Sequence, residues 1–489
     1  MKYRTRHRYI DIFLHLSLVL AFLQGGVVSA ATRKQESIEW SVEQISQAEE
    51  DANTPAIVVD IAGGVHVFWS EGDFGGKRSA LLYARLLDGM WSLTDILVGN
   101  EISNTDVVLD EEGVFHLVWA EESEILYSSA FYDEALRPQA WSKPVRLVAG
   151  PCYHPQIAMD RAGNLHTAFA CFAEEATIEH MRSVDGGSSW SRQIVYSVHS
   201  DDRAADRPRF ALAEDGTLHM VWGEVSKPTY YGGAGVYYSK SEDDGVTWSS
   251  PHRLDFIAGS EEELGAWQAS IRAFGESEVH VIWNSHSEGG RRYHQFSLNN
   301  GDTWSDPNPI WDTFVSQTGP NPMISDSDGT LYLFSAGTFD WNLPQGVYFS
   351  LWTGEEWETP QLIHEDINQP HWLDVGITNG RRVHITWEAR EQYPRGVWYA
   401  SGEVEAKYLP SGELPVKTPT PLIELNITQT PPRVEQPSLT PTIEITKEFF
   451  QEPETSKPKS ISTILVVSAL RSVLIPIGTK QIIGILRKR

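Results

Sequence analysis

Positive charge is scarce in this chain of 489 residues, where 39 Lys and Arg stand against 66 Asp and Glu. The resulting net charge of −27 would repel phosphate groups, which argues against a nucleic-acid partner. An anionic ligand of any kind would therefore need a local cluster of basic residues. Cysteine is scarce as well, with two residues, so at most one disulfide can form within the chain.

Long apolar runs are few, and the first of them follows a basic N-terminus. Residues 12–23 form an apolar stretch, and Val28 and Ala30 then place small residues before Ala31. This order predicts a signal peptide over residues 1–30, cleaved before Ala31. An uncleaved signal anchor is the alternative, and either interpretation takes the rest of the chain out of the cytoplasm.

The central part of the chain is a repeat array. One strand pattern recurs along this part. In it a His stands between apolar residues and the strand usually ends in Trp or Phe; one copy has Tyr in place of His. The His or Tyr positions are His66, His116, His166, His219, His280, Tyr332 and His384. Successive positions lie 50 to 61 residues apart, which is the length of one four-stranded propeller blade. Each unit is predicted to hold strands A to D, with the His strand second.

A turn motif, Ser-x-Asp-x-Gly-x-x-Trp, joins strands C and D. It occurs at 183–190 and 241–248, and at 297–304 with Asn in place of Asp. Asp or Asn can bond backbone amides two residues on, and Gly accepts a positive φ, so the motif predicts a tight turn. It resembles the Asp-box (BNR) repeat of the sialidase superfamily and of several other β-propellers. The resemblance implies an all-β propeller, and the unit count predicts seven blades, with the six of sialidases as the alternative.

The seventh unit has no strand D of its own, because the sequence becomes polar and Pro-rich after Ser401. Residues 38–45 carry the Trp-Ser signature of strand D without preceding strands. We therefore predict that this N-terminal segment completes blade seven, so that the propeller spans 38–406. Closing the ring would remove free sheet edges.

The two cysteines, Cys152 and Cys171, flank the hairpin of the third unit. They are almost equally far from its turn at 161–163, so they should face each other across strands A and B. In an exported protein this arrangement predicts a disulfide. Two buried free thiols are the alternative.

The C-terminal part changes in composition. Residues 407–460 are rich in Pro and Thr, which predicts an extended stalk without a core. Residues 461–489 are apolar with a basic end, the pattern of a C-terminal membrane anchor. Arg471 and Lys480 interrupt this segment, and its uncharged runs of about ten residues are too short to span a bilayer alone. A transmembrane helix and an interfacial helix are therefore the two alternatives.

The ligand site is expected over the central channel, on the face that carries the B–C loops and D–A connections. The Asp-box turns lie on the other face, and the strand-B histidines recur in every unit, so both are interpreted as structural. A functional residue should break the repeat. The ligand-binding candidates that do so are His154, Trp267, Gln268, His371 and Trp372. Aromatic rings beside charged groups suit a sugar, although a solvated loop residue is the simpler interpretation for each one alone.

The resemblance to sialidases implies a particular set of catalytic parts. Three Arg would clamp a sugar carboxylate, a Tyr paired with a Glu would be the nucleophile, and an Asp would act as acid. The candidates by position are Arg207, Arg272 and Arg390 for the clamp, Tyr153 with Glu224 or Glu121 for the nucleophile pair, and Asp73 for the acid. The Phe/Tyr-Arg-Ile-Pro motif of the family is absent, and residues 207–210, Arg-Pro-Arg-Phe, resemble it only loosely.

Two functional classes follow. One is an exported, surface-displayed, sialidase-like propeller that acts on or recognises carbohydrate. The other is a non-catalytic propeller that binds protein or assists assembly. The missing arginine motif and the acidic composition favour a protein other than a sialidase, whereas the aromatic and carboxylate residues of the loops favour a glycan or glycoconjugate partner. A monomer is predicted, with no cofactor and no metal site.

Overall fold

The structure is a computed structural model that describes residues 38–46, 51–72, 78–227, 232–256, 265–286, 288–316, 319–340, 342–366, 369–389 and 396–414. The predicted signal peptide, most of the stalk and the apolar C-terminal segment lie outside these residues. Within this part of the chain, no helix combines the length and the apolar character needed to cross a membrane.

The described residues form seven blades, each a sheet of four antiparallel strands. Blade one contains β2 (Asp51–Val59), β3 (Val65–Gly72), β4 (Arg78–Leu87) and β5 (Met90–Asn100). Blade two contains β6 (Ser103–Leu109), β7 (Val114–Glu121), β8 (Glu124–Phe131) and β9 (Val145–Val148). Blade three contains β10 (Cys152–Met159), β11 (Leu165–Phe172), β12 (Ala176–Ser183) and β13 (Ser191–Ser197). Blade four contains β14 (Arg203–Leu212), β15 (Leu218–Ser226), β16 (Gly233–Ser241) and β17 (His252–Arg253).

The remaining three blades follow the same order. Blade five contains β18 (Ala266–Phe274), β19 (Glu278–Ser285), β20 (Arg291–Ser297) and β21 (Asn308–Ile310). Blade six contains β22 (Met323–Ser325), β23 (Leu331–Gly337), β24 (Gln345–Leu351) and β25 (Gln361–Asp366). Blade seven contains β26 (Pro370–Thr378), β27 (Arg382–Ala389), β28 (Gly396–Glu403) and the N-terminal strand β1 (Ser41–Gln44).

The N-terminal strand closes the ring. In blade seven β1 pairs with β28, so that Ser41 lies opposite Ser401 and Gln44 opposite Trp398. The Ser46 hydroxyl extends this pairing by accepting a 2.9 Å hydrogen bond from the Val397 backbone N–H. The prediction of seven blades closed by an N-terminal strand is confirmed, and the six-bladed alternative is wrong.

The blades are held together by stacking of their apolar sheet faces. A large aromatic side chain near the middle of strand B is almost fully buried in every blade. These residues are Trp69, Trp119, Phe169, Trp222, Trp283, Phe334 and Trp387. Burial of one such side chain stabilises the fold by roughly 1.5–3 kcal/mol, so the recurring aromatic is the core of the array.

In blades one to three the strand-B histidine connects the A–B turn to strand C. His66 places Nδ1 2.7 Å from the Tyr83 hydroxyl and Nε2 3.0 Å from Asp60. His116 makes the same two contacts with Tyr127 and Asp110. The arrangement recurs in blade three, where His166 contacts Asp160 and His180, so this buried Asp–His–aromatic contact is a structural element of the repeat.

The Asp-box turns lock neighbouring blades together. In blade four Asp243 Oδ1 accepts a 2.8 Å hydrogen bond from the Thr247 N–H, and Ser241 Oγ accepts one from the Gly245 N–H. A Cβ at Gly245, where φ is +76°, would lie 2.6 Å from Cε1 of His180 in blade three. The glycine therefore permits both the turn and the close approach of the two blades.

As expected, the A–B and C–D turns lie on one face of the propeller, and the B–C turns and D–A connections lie on the other. The C–D turn of blade five meets the A–B turn of blade four, where Asn300 Nδ2 donates to Asp215 Oδ2 at 2.7 Å. On the other face, the Asn100 N–H at the end of blade one donates to Glu121 Oε1 at the B–C turn of blade two. The B–C turns and D–A connections thus surround the opening of the channel opposite the Asp boxes.

Candidate functional site

A bulge near the start of the innermost strand shapes the mouth of the central channel. In six blades the pairing of strands A and B shifts register there, and blade six has a glycine in the equivalent place. The left-handed residues, with φ from +44° to +56°, are Thr54, Asn104, His154, Arg207, Gln268, Gly319 and Trp372. This conformation costs a residue with a side chain about 1–2 kcal/mol. The bulge therefore belongs to the repeat, whereas the side chain it presents differs in every blade.

Three of the predicted site residues meet at this mouth. His154 Nε2 lies 3.2 Å from Asp206 Oδ1, and Asp206 also accepts a hydrogen bond from Arg207. The guanidinium carbon of Arg207 lies 5.1 Å from the ring centre of Trp372, a cation–π contact that links blades four and seven. We call His154, Asp206, Arg207 and Trp372 the mouth cluster. The side chains of His154 and Arg207 keep 18% and 21% of their surface exposed, so a ligand can reach both.

The mouth cluster holds His154 in its neutral form. Burial lowers the pKa of His154 well below its ordinary value, and the charges of Arg207 and Arg209 lower it further. A neutral imidazole protonated on Nε2 can donate to Asp206. The mouth therefore presents an indole, a guanidinium, a neutral imidazole and a carboxylate within one small area.

Below the mouth, side chains of the inner strands bridge neighbouring blades. Asp106 Oδ2 accepts a 2.8 Å hydrogen bond from the Ile157 N–H, and Asp374 Oδ2 accepts one of 2.9 Å from the Ile57 N–H. The equivalent acceptors in two other blades are Gln156 and Ser270. These bonds satisfy N–H groups on the inner sheet edges, which have no further strand to pair with.

Two of these bridging side chains titrate near neutral pH. Burial raises the pKa of Asp106 to about 7, and the charge of Asp374 contributes to the rise. Burial raises the pKa of Asp374 to about 6. Both line a channel cavity of about 370 Å³ together with Arg209 and Arg272. Near neutral pH, one carboxyl group of the pair can be protonated while the other is charged.

The structure does not join the expected nucleophile pair. The hydroxyl of Tyr153 lies 2.5 Å from Ser123 Oγ, whereas Glu224 accepts a 2.5 Å hydrogen bond from Tyr196 on the outermost strand of blade three. Glu121, the alternative partner, accepts a 3.1 Å hydrogen bond from Nε1 of Trp119.

The position of Glu224 and Glu121 explains this outcome. Each follows a strand-B Trp by two residues, as does Glu71, which accepts a 2.8 Å hydrogen bond from Trp69. The glutamates thus occupy one repeated position beside the strand-B aromatic, outside the channel lining. Their side chains are set by the repeat and do not meet the bulge residues of strand A.

The proposed arginine clamp is not assembled in the described residues. Arg207 lies at the mouth, whereas Arg272 lies four residues beyond the bulge of its strand and lines the channel. Arg390 and Asp73, the expected third arginine and acid, fall outside the residues that the structure describes.

Three further candidates take part in packing next to the mouth. The ring of Trp267 is 5% exposed and meets His286 edge to face at 5.5 Å. Gln268 accepts a 3.1 Å hydrogen bond from Asn284, and Nδ1 of His371 lies 3.7 Å from Glu388. The two cysteines, Cys152 and Cys171, stand opposite each other in β10 and β11 and form a disulfide.

Sequence reasoning missed the two carboxyl groups inside the channel, whereas Arg209 stood among the charged residues noted in the connection into blade four. Asp106, Arg209 and Asp374 each lie two residues after a bulge residue, at a position that is Ala56 in blade one and Gln156 in blade three. Aligning the units on the bulge would have revealed this position, because an ionisable side chain there departs from the repeat.

The chain was compared with known proteins. No family model and no curated protein matches it. Among solved structures, a protein of unknown function from Dyadobacter fermentans is 13% identical, covers 74% of this chain and 99% of its own, and has a TM-score of 0.47. A Hadza microbial sialidase is 14% identical over 70% and 77% of the two chains, with a TM-score of 0.44. An α-L-arabinanase from Penicillium chrysogenum is 15% identical over 64% and 97%, with a TM-score of 0.44. At these identities the likeness concerns the propeller fold.

Proposed function

We propose that this protein is an exported, surface-displayed propeller that recognises carbohydrate at the mouth of its central channel. The observation that carries the proposal is the mouth cluster. Trp372 offers an apolar ring for the face of a sugar, and Arg207 and His154 offer a donor and an acceptor for its hydroxyl groups, held in place by the buried Asp206. A few convergent polar groups around an aromatic ring are typical of a small-ligand site.

Display at a surface fits the path of the C-terminal segment. Residues 405–414 run along the A–B turns, where the Leu409 N–H donates to the Asn379 carbonyl at 2.9 Å and the Gly412 N–H to the Ile61 carbonyl at 2.6 Å. These turns lie on the face opposite the mouth. The described C-terminal segment therefore ends on the face opposite the mouth cluster.

Recognition without sialidase chemistry is the function that the geometry favours. The Tyr153 hydroxyl and the Glu224 carboxylate have separate partners, and the Tyr196 that does contact Glu224 has its pKa raised, first by burial and then by that carboxylate. A phenol whose pKa is raised stays protonated at neutral pH. Such a tyrosine is a poor nucleophile.

Hydrolysis by the channel carboxyl groups is the second candidate. It is favoured by pKa values of about 7 for Asp106 and about 6 for Asp374, which allow one acid and one base near neutral pH. Each carboxylate also accepts a backbone hydrogen bond from the next blade, which is a structural role.

The test is a glycan array beside turnover assays with fluorogenic glycosides, sialosides included. Trp372→Ala and Arg207→Ala should each weaken glycan binding about tenfold or more, the loss expected for about 1.4 kcal/mol of contact energy. Arg146→Ala, whose side chain is 60% exposed on the outer strand β9, is the matched control and should bind as the wild type does. Array binding without turnover would exclude the enzyme. Failure of the wild type to bind any glycan would refute recognition and leave protein binding as the function to test.

A further inference from the structure

One partly buried arginine in the central channel has no carboxylate against it. Arg272 on β18 lines the channel cavity, and in the described part of the chain its one hydrogen bond runs from Nη2 to Ser325 Oγ at a long 3.4 Å. Its Nε is shielded from solvent and has no hydrogen-bond partner. Burial lowers the pKa of Arg272, and no neighbouring carboxylate opposes that shift. A cation that has lost part of its solvation in this way would be stabilised by an anionic ligand.

A second arginine in the same cavity is only partly compensated. Arg209 on β14 makes its one hydrogen bond among the described residues with the adjacent Pro208 carbonyl at 3.3 Å. Burial lowers the pKa of Arg209, and the charges of Asp106 and Asp374 oppose that shift from a distance. Both carboxylates already accept backbone hydrogen bonds, so they do not hold the guanidinium directly.

Several other arginines of the described chain have close oxygen partners. Arg253 binds Asp255 at 2.9 Å, and Arg291 binds Asp312 at 2.7 Å. Arg292, which is fully buried, donates to side-chain and carbonyl oxygens around it, including Ala336 O at 2.6 Å. In a chain with a net charge of −27, two arginines without close carboxylates in one cavity are therefore a distinct feature.

From this geometry we infer that the central channel binds a free inorganic oxyanion, such as sulfate or phosphate, through Arg272 and Arg209. The planar guanidinium matches two oxygens of such an ion, and the Nη groups of Arg272, whose one hydrogen bond is long, would gain close partners. The cavity volume of about 370 Å³ is ample for one hydrated ion. His154 and Trp372 of the mouth cluster line the same cavity, so the ion would lie beside the sugar site, but the arginines that hold it are not members of the mouth cluster.

The ionisable groups that line the cavity are Asp106, His154, Arg209, Arg272 and Asp374. A bound oxyanion adds negative charge beside the two carboxyl groups, so it should favour their protonation. The affinity for sulfate is therefore expected to rise as the pH falls from 8 to 6, a range in which Asp106 and Asp374 take up protons.

The experiment measures thermal stability and calorimetric binding of the whole protein in sodium sulfate against sodium chloride at equal ionic strength. Sulfate should raise the Tm of the wild type in a concentration-dependent way, because a ligand that binds the folded state stabilises it. Arg272→Met should lose this response and weaken sulfate binding at least tenfold, and Arg209→Met should weaken it as well. Arg146→Met, the exposed control, should respond as the wild type does.

Further measurements distinguish oxyanion binding in the channel from glycan binding at the mouth. Trp372→Ala should keep the sulfate response even if it loses glycan binding, so that failure of one proposal is not failure of the other. If sulfate competes with a glycan, the acid group of that glycan, and not a free ion, occupies the channel. A wild type that responds equally to sulfate and chloride, or an Arg272→Met variant with an unchanged response, would overturn the inference.

Discussion

Two neighbouring glycines of one Asp-box turn allow the energetic contribution of the contact between that turn and the preceding blade to be measured. Gly186 and Gly187 are both left-handed, with φ of +65° and +86°. A Cβ at Gly187 would lie 2.2 Å from the Tyr127 hydroxyl and 2.4 Å from its Cζ, whereas a Cβ at Gly186 would have no atom within 4 Å. Gly186→Ala thus tests the backbone alone, and Gly187→Ala tests the backbone and the packing of two blades.

The expected magnitudes follow from these distances. Left-handed backbone costs an alanine about 1–2 kcal/mol at either position. Tyr127 cannot easily retreat, because it is buried and its hydroxyl lies 2.7 Å from His116 Nδ1. Crowding of this kind in a packed core costs a further 1–3 kcal/mol, approximately. We expect a loss of about 2–5 kcal/mol for Gly187→Ala and about 1–2 kcal/mol for Gly186→Ala.

The assay is equilibrium unfolding in urea, with both variants measured beside the wild type. A Tyr127→Ala background should abolish most of the difference between the two glycine variants, because it removes the atoms that a Cβ would meet. If Gly187→Ala costs no more than Gly186→Ala, the Asp-box glycine is needed for the turn alone and does not lock the blades together.

Two further predictions concern the closure of the ring and the disulfide. Deletion through residue 46 would leave the edge of β28 unpaired, so it should lower the Tm and promote self-association, as seen by calorimetry and size-exclusion chromatography. A stable monomeric deletion variant would argue against closure by β1. Replacement of Cys152 and Cys171 by Ser should reduce the free energy of unfolding by about 3 kcal/mol for a loop of this length, measured in denaturant. No change on replacement or on reduction would refute this.

The number of blades and the closing strand could be predicted because both are encoded in local patterns. Each blade repeats the same alternation around a strand-B aromatic, and a unit with three strands needs a fourth from elsewhere. The residues at which individual strands begin and end were harder to predict from the sequence. In blade two Trp141 and Ser142 carry the Trp-Ser signature of strand D, but Pro138–Ala140 form a short 3-10 turn and the strand begins at Val145. Pro144, which has no N–H to donate, delays the pairing.

The site was predictable only in part, because it depends on contacts across the ring. Arg207 and Trp372 meet although blades four and seven are not neighbours, and only the curvature of the closed ring brings them together. Loop membership indicated which residues could reach the mouth. It did not indicate the direction of each side chain, which the bulge of strand A sets. For this reason Tyr153 and Glu224 were expected to form a pair, whereas in the structure each has a different partner.

Buried histidines predict how the propeller responds to acid. The pKa is lowered, chiefly by burial, to about 3 for His180 and His384 and to about 4 for His219. In the unfolded chain each would titrate near 6.5, so the folded state resists protonation. Their contribution is intact above pH 6.5 and is lost as the pH falls from 6.5 towards 3–4. At pH 5 each loses about 2 kcal/mol, or roughly 6 kcal/mol for the three.

The channel carboxyl groups act in the opposite direction. The folded pKa values of about 7 for Asp106 and about 6 for Asp374 lie above those of unfolded aspartate, so folding becomes more favourable as the pH falls through this range. Between pH 6.5 and 5 they add roughly 3 kcal/mol, whereas the three histidines lose roughly 5 kcal/mol over the same interval. From these five groups we expect a net loss of about 2 kcal/mol, to which His154 and His294 add because burial lowers their pKa values too. A double Asp106→Asn, Asp374→Asn variant should lose about 3 kcal/mol more than the wild type over the same interval. Urea unfolding at pH 6.5 and pH 5 measures both, and equal stability of the wild type at the two pH values would mean that the histidines are protonated in the folded state.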